Sequence, residues 1–168
     1  MEQIAIFCDI DDFCKDYEEY CTHSLLMDKN EVVPKTKMAL SEIMTIVIMY
    51  HLSGYRTFKH YYTRHVMKYQ KQDFPTLVSY NRFVEIIRYA FVPLLYTIRG
   101  RFGKCSGISF VDSTPIKVCD NHRIRTNHVF SEYAKRGKSS MGWFYGFKLH
   151  LIINEQGEIL SFCLTSGN

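Results

Sequence analysis

The residue types able to do chemistry lie in the second half of the chain. Asp112 follows the apolar run Ile108-Ser109-Phe110-Val111 and precedes Ser113-Thr114-Pro115. A carboxylate is costly to bury unless it is paired or holds a cation. An acid at the exit of a buried strand therefore has two readings. It caps a turn by accepting backbone N–H groups near Ser113 and Thr114, or it projects into a cleft as a metal-binding carboxylate. Lys148 and His150 share one side of a later alternating run. A fixed cation there could stabilise charge developing on a phosphate, and a solvated face accounts for the pair equally well. Lys117, Arg123, Arg125, Lys135, Arg136 and Lys138 crowd a polar stretch from 117 to 138. That stretch reads as a loop, either a phosphate track or simply solvated. Cys119, His122 and His128 hint at zinc, but no fourth ligand follows at a zinc-site spacing.

The elements that must position these groups are short strands. Gly103 and Gly107 before Ile108–Val111, and Pro115 after it, predict a buried strand bounded by turns. From Tyr145 to Asn154 the pattern alternates: Phe147, Leu149, Leu151 and Ile153 on one face, Lys148, His150 and Ile152 on the other. Asn154-Glu155-Gln156-Gly157-Glu158 is a hairpin turn, and 159–165 is the returning strand. Trp143-Phe144-Tyr145 reads as core in preference to a base-stacking platform.

The first hundred residues are helical in pattern. Phe7, Ile10, Phe13, Cys14 and Tyr17 recur at near-helical spacing among acids, with Asn30 to Pro34 as a linker. A second helix spans 36–52 and stops at Ser53-Gly54. A short basic and aromatic helix runs from about 57 to 69, and 70–75 breaks it. Ser79 then caps a helix whose Phe83, Ile86, Ile87, Ala90, Phe91, Leu94, Leu95 and Ile98 form one core stripe, kinked mildly at Pro93. Helices with tight turns and scattered cations suit a helix-turn-helix-like DNA-binding module over residues 1–100, and also suit a small bundle that binds no DNA. On the first reading Arg56, Lys59, Arg64, Asn81 and Arg82 are the contacts, the last two at a helix N-terminus that favours anions. Gly100 to Gly107 is the boundary to the second domain.

Charge supports a polyanion partner. Residues 1–34 hold nine acids and two lysines, net −7; residues 35–168 hold nineteen Lys/Arg and eight acids, net +11, together the +4 of the chain. Phosphate contacts dominate nucleic-acid affinity, so a basic body fits DNA. The N-terminus is not a signal peptide, no apolar run is long enough to span a membrane, and six cysteines without a CxxC predict reduced thiols. The expected location is the bacterial cytoplasm.

The ordered motifs Ile108–Thr114, Lys135-Arg136-Gly137-Lys138, Gly142-Trp143-Phe144-Tyr145-Gly146-Phe147-Lys148-Leu149-His150-Leu151 and Leu164-Thr165-Ser166-Gly167-Asn168 resemble the DDE transposases of bacterial insertion sequences. Ser79-Tyr80-Asn81-Arg82-Phe83 resembles the helical region of the same group. The resemblance implies an α+β chain: a helical N-terminal domain over 1–100, then the first three strands of a ribonuclease-H-like α/β sheet over 101–168. It implies DNA as partner, at terminal inverted repeats and target sites. It also implies two Mg²⁺ ions held by an Asp-Asp-Glu set for in-line phosphoryl transfer. Asp112 matches the first Asp.

The later carboxylates of that set have no counterpart. Asp120 and Glu132 fall in the basic stretch, Glu155 and Glu158 in the hairpin turn. One carboxylate cannot hold two ions in a defined geometry. The chain is accordingly expected to be an N-terminal portion that neither cuts nor joins DNA alone and binds Mg²⁺ weakly. The alternative is a non-catalytic DNA-binding regulator or inhibitor derived from a transposase, associating with itself or with a full-length enzyme. A phosphate-handling enzyme of another kind has only the basic stretch in its favour. Strands without the rest of their sheet leave an open edge and a bare apolar face, which predicts self-association.

Overall fold

The computed structural model describes residues 2–24, 36–128 and 130–167. The expected linker at 30–34 lies outside the described residues. The chain divides into two compact units, Met1–Gly100 and Arg101–Asn168. The first is helical and the second is a sheet, so the architecture is α+β.

The helical unit comprises α1 (Glu2–Ser24), α2 (Leu40–Leu52), α3 (Phe58–Tyr61), α4 (Met67–Tyr69), α5 (Tyr80–Ile86) and α6 (Phe91–Arg99). Ile10 and Cys14 of α1 are buried with Phe13 half-buried beside them, as an amphipathic helix requires. Glu42 holds the start of α2, its carboxylate accepting the Ala39 N–H at 2.8 Å. Gly54, at φ +71°, ends the helix in the left-handed region that favours glycine. A π-helical turn, Tyr62–Val66, joins α3 to α4, so the helix expected near 57–69 is one stretch with a wider middle. Tyr61, Tyr62 and Val66 of that stretch face the core.

The fourth predicted helix departs from its pattern. Ser79 caps α5 as expected, its Oγ accepting the Arg82 N–H at 3.4 Å. Ile87–Ala90 then winds as 3₁₀ helix before α6. Pro93 removes a backbone donor and its ring crowds the carbonyl four residues back, which loosens the preceding turn. Each 3₁₀ residue turns the chain by more than an α residue does, so the buried face changes phase. Phe83, Ile86 and Ala90 stay buried, but Pro93 and Thr97 then take the inner positions. Phe91 is 60% exposed, and Leu95 and Ile98 are also exposed. The single stripe expected from 83 to 98 is therefore two offset halves.

The sheet unit has four antiparallel strands where three were expected: β1 (Ser109–Cys119), β2 (Lys135–Ser139), β3 (Gly142–Asn154) and β4 (Ile159–Ser166). β3 is the spine. β1 runs along one of its edges; β2 and then β4 pair with successive halves of the other. Two expectations are corrected. The first strand does not end near Pro115 but continues to Cys119; β1 pairs only with β3 among the described residues, and a proline is tolerated on such an edge. Lys135, Arg136 and Lys138 lie on β2, not in a loop. Two glycines let β2 meet the end of β4, since a Cβ on Gly137 would lie 1.3 Å from the Gly167 carbonyl oxygen. The hairpin between β3 and β4 falls where expected, with Gly157 at φ +82°. Buried Asn154 ties it: its Oδ1 accepts the N–H groups of Gln156 and Glu158, and its Nδ2 donates to the Glu158 carboxylate at 2.7 Å.

Candidate functional site

Asp112 is the fourth residue of β1, within the strand and not at its exit. Its direct partner is Leu151. Partners across an antiparallel pair share a face, so Asp112 shares one with Phe110, Thr114, Ile116, Phe147, Leu149, Leu151, Phe162 and Leu164. This is an apolar sheet face carrying one acid. The carboxylate is exposed, and its Oδ1 accepts the Ser113 N–H at 2.7 Å. The local bond of the turn-cap reading is thus present without a turn. Phe102 stacks edge-on to Phe162 and Phe130 to Phe147, covering parts of the face; Phe110 remains 56% exposed and Leu164 54%.

Lys148 and His150 pair with Pro115 and Ser113, which puts them on the opposite face from Asp112. His150 Nε2 lies 3.0 Å from Thr165 Oγ1 on that face. The structure does not bring these three residues together.

The basic residues form two groups in this unit. Lys117 and Arg123 line a cleft of about 790 Å³ with Asp120, Thr126 and His128, and exposed Arg125 lies on the same loop. Asn121–Arg123 is a 3₁₀ turn whose Asn121 side chain donates to the Trp143 carbonyl at 2.8 Å, anchoring the loop to β3. Lys135, Arg136 and Lys138 project from β2. The aromatic triplet divides: Phe144 and Tyr145 are buried, whereas Trp143 is 64% exposed, so the core reading is corrected for that residue. Alternation along β3 explains Phe144 against Trp143.

In the helical unit Arg56, Lys59, Arg64 and Asn81 are exposed. Arg82 Nη1 donates to Glu85 at 2.7 Å. Lys59 sits 5.7 Å from the Tyr80 ring centre.

Two of the later acids are engaged elsewhere. Glu158 accepts from the Asn154 amide. Glu155 accepts a hydrogen bond from the Ser106 hydroxyl, which holds its carboxyl below the ordinary value. Among the described residues no three His, Cys, Asp or Glu side chains converge as metal ligands. Asp112, a hard oxygen donor, fits as one ligand of a divalent ion, but the described residues do not make a two-ion site. All six cysteines are free thiols. No helix among the described residues is long and apolar enough to cross a membrane.

Residues 102–168 match the family model for the transposase DDE domain. This segment is similar to that family. The match spans the whole sheet, from Phe102 through β4, and so includes Asp112. No curated protein and no solved structure gives a match. The DDE segment is recognisable from sequence because its signals are local, namely a strand holding one acid and a hairpin. β2 was missed because Lys135-Arg136-Gly137-Lys138 has no apolar alternation; Gly137, which admits close backbone approach, was the available signal.

Proposed function

We propose that residues 101–168 supply the opening strands and the first metal-binding carboxylate, Asp112, of a transposase catalytic core. Residues 1–100 bind the ends of the mobile element. The observation that carries this is an exposed acid inside β1 on a mostly apolar face, within the segment that matches the DDE domain. A protein has no packing reason to place Asp among Phe110, Leu149 and Leu151, because an unpaired carboxylate gains nothing from such neighbours. Asp112 is the only residue of the expected catalytic trio that we retain, since Lys148 and His150 point to the other face.

DNA is held by charge. Arg56, Lys59, Arg64, Asn81 and Arg82 meet phosphates in the helical unit; Lys117, Arg123, Arg125, Lys135, Arg136 and Lys138 do so on the sheet unit. The ion is Mg²⁺ or a similar hard divalent cation, because its ligands are oxygens. Among the described residues Asp112 is the one carboxylate assigned to the ions. The test is Mg²⁺- or Mn²⁺-dependent nicking of terminal-repeat DNA by a transposase that contains these residues. Asp112→Ala abolishes nicking; nicking that survives it refutes the assignment.

One observation favours a second reading, a DNA-binding regulator: among the described residues no three His, Cys, Asp or Glu side chains form a metal-ligand cluster. It requires salt-sensitive binding to terminal repeats over random DNA that Asp112→Ala leaves unchanged, with inhibition of a complete relative.

A further inference from the structure

The hairpin made by β2 and β3 presents an aromatic ring where packing would have hidden one. Phe144 and Tyr145 are 2% and 8% exposed, yet adjacent Trp143 is 64% exposed and Met141 at the turn is 90% exposed. Register sets Lys138 opposite Trp143 and Arg136 opposite Tyr145, so both cations share the indole's face. Lys138 Nζ stands 5.9 Å from the Trp143 ring centre. No acidic residue occurs anywhere from 135 to 154. Beside the hairpin, the Asn121 bond to the Trp143 carbonyl holds the loop that bears Arg123 and Arg125. A flat exposed π-surface flanked by cations, on a hairpin that itself carries no acid, matches a ligand with negative charge and an exposed aromatic face.

We propose that Trp143, with Lys138, is a stacking site for one unpaired nucleobase of a DNA strand. Duplex DNA offers phosphates and base edges but hides the base faces; an unstacked base offers both, and stacking on an indole tolerates any base. Trp143 and Leu151, the partner of Asp112, lie eight positions apart on β3 with the same parity. That is roughly 26 Å at ~3.3 Å per residue. The indole is therefore a holding contact on Asp112's side of the sheet, remote from any atom at Asp112. This inference rests on the DNA reading above and adds strand form to it.

Trp143 is the only tryptophan of the chain, so its emission reports the site alone. The whole protein is titrated with a labelled single-stranded oligonucleotide, the same sequence as duplex, and heparin, reading indole emission and DNA anisotropy at several salt concentrations. The single strand is expected to bind more tightly than duplex and to quench Trp143, while heparin binds without quenching. Trp143→Leu weakens single-strand binding by about 5- to 150-fold at fixed salt, and Trp143→Phe retains most of it. Lys138→Ala lowers the slope of log affinity against log salt by about 0.7. Single-strand binding that leaves the emission unchanged, equal quenching by heparin, or full affinity in Trp143→Leu overturns the stacking site and leaves DNA binding standing. Failure of both DNA forms to bind overturns the DNA reading itself. The wild-type quenching needs no variant, so a Trp143→Leu protein that misfolds does not stall the test.

Discussion

Asp112 and Leu151 face each other across β1 and β3, while the next residue, Ser113, faces His150. One step along a strand reverses the side of the sheet, so the acid and the imidazole are separated by the sheet itself. Asp is poorly suited to a strand, and beside Leu149 and Leu151 its carboxylate contributes no packing. Asp112→Val should stabilise the sheet unit by about 0.5 to 1 kcal/mol, as a cross-strand apolar pair does. A urea midpoint equal to or below wild type would contradict the view that Asp112 is kept for chemistry at a cost in stability.

The face around Asp112 governs solution behaviour. Phe110, Ile116, Phe162 and Leu164 are all exposed on it, and large bare apolar patches drive association. Light scattering should show concentration-dependent self-association that falls when Phe110→Lys and Leu164→Lys are combined. Unchanged scattering in that double variant would mean the association, if present, uses another surface.

Phe83 and Phe91 test the phase change between α5 and α6. The heptad-like pattern places both in one stripe, yet Phe83 is 0% exposed and Phe91 60%. Phe83→Ala is expected to cost about 3 to 5 kcal/mol, and Phe91→Ala within about 0.5 kcal/mol. Thermal unfolding of the two variants separates them; similar losses would restore the single stripe.

Gly146 sits on β3 at φ +156°, where an added Cβ would lie 2.0 Å from the Ile116 carbonyl oxygen. Relief would require β1 to separate from β3 beside its own register irregularity at Lys117/Cys119. Gly146→Ala should destabilise the sheet unit by more than about 1 kcal/mol. Gly157→Asn, in an open turn with nothing near the added atom, should cost less, because Asn tolerates that conformation.

Two thiols should differ in reactivity. Burial pushes the Cys14 thiol up to about 11, and its Sγ packs 3.6 Å from Met44 Sδ. The Gly107 N–H and the Ser109 hydroxyl hold exposed Cys105 below the ordinary thiol value. The thiolate is the reacting species. As pH rises through the mildly alkaline range, alkylation followed by mass spectrometry should label Cys105 early and Cys14 last. For stability the sign at Cys14 is unfavourable at high pH: the unfolded thiol ionises near 9 and the folded one near 11. Its contribution is whole below the lower value and is lost as pH climbs between the two.

The sequence alone determined what depends on near neighbours. Alternation from 145 to 154 set the faces of β3, Gly157 set the hairpin, Gly54 ended α2, and the amphipathic spacing of Ile10 and Cys14 oriented α1. Each is a period or a backbone allowance written within a few residues. Asp112 was visible as the likeliest chemical group for the same reason, a carboxylate set against an apolar run. Tertiary structure alone decided the rest. Register between strands distant in sequence put Asp112 on the side away from Lys148 and His150. Pairing with β3 turned the basic stretch at 135–139 into a strand, and the Pro93-driven 3₁₀ turn moved Phe91 out of the core. It also separated Trp143 from its buried neighbours. Side-chain period is legible along one segment, but which face meets the core, and which partner lies across, is settled only when separate segments pair and pack.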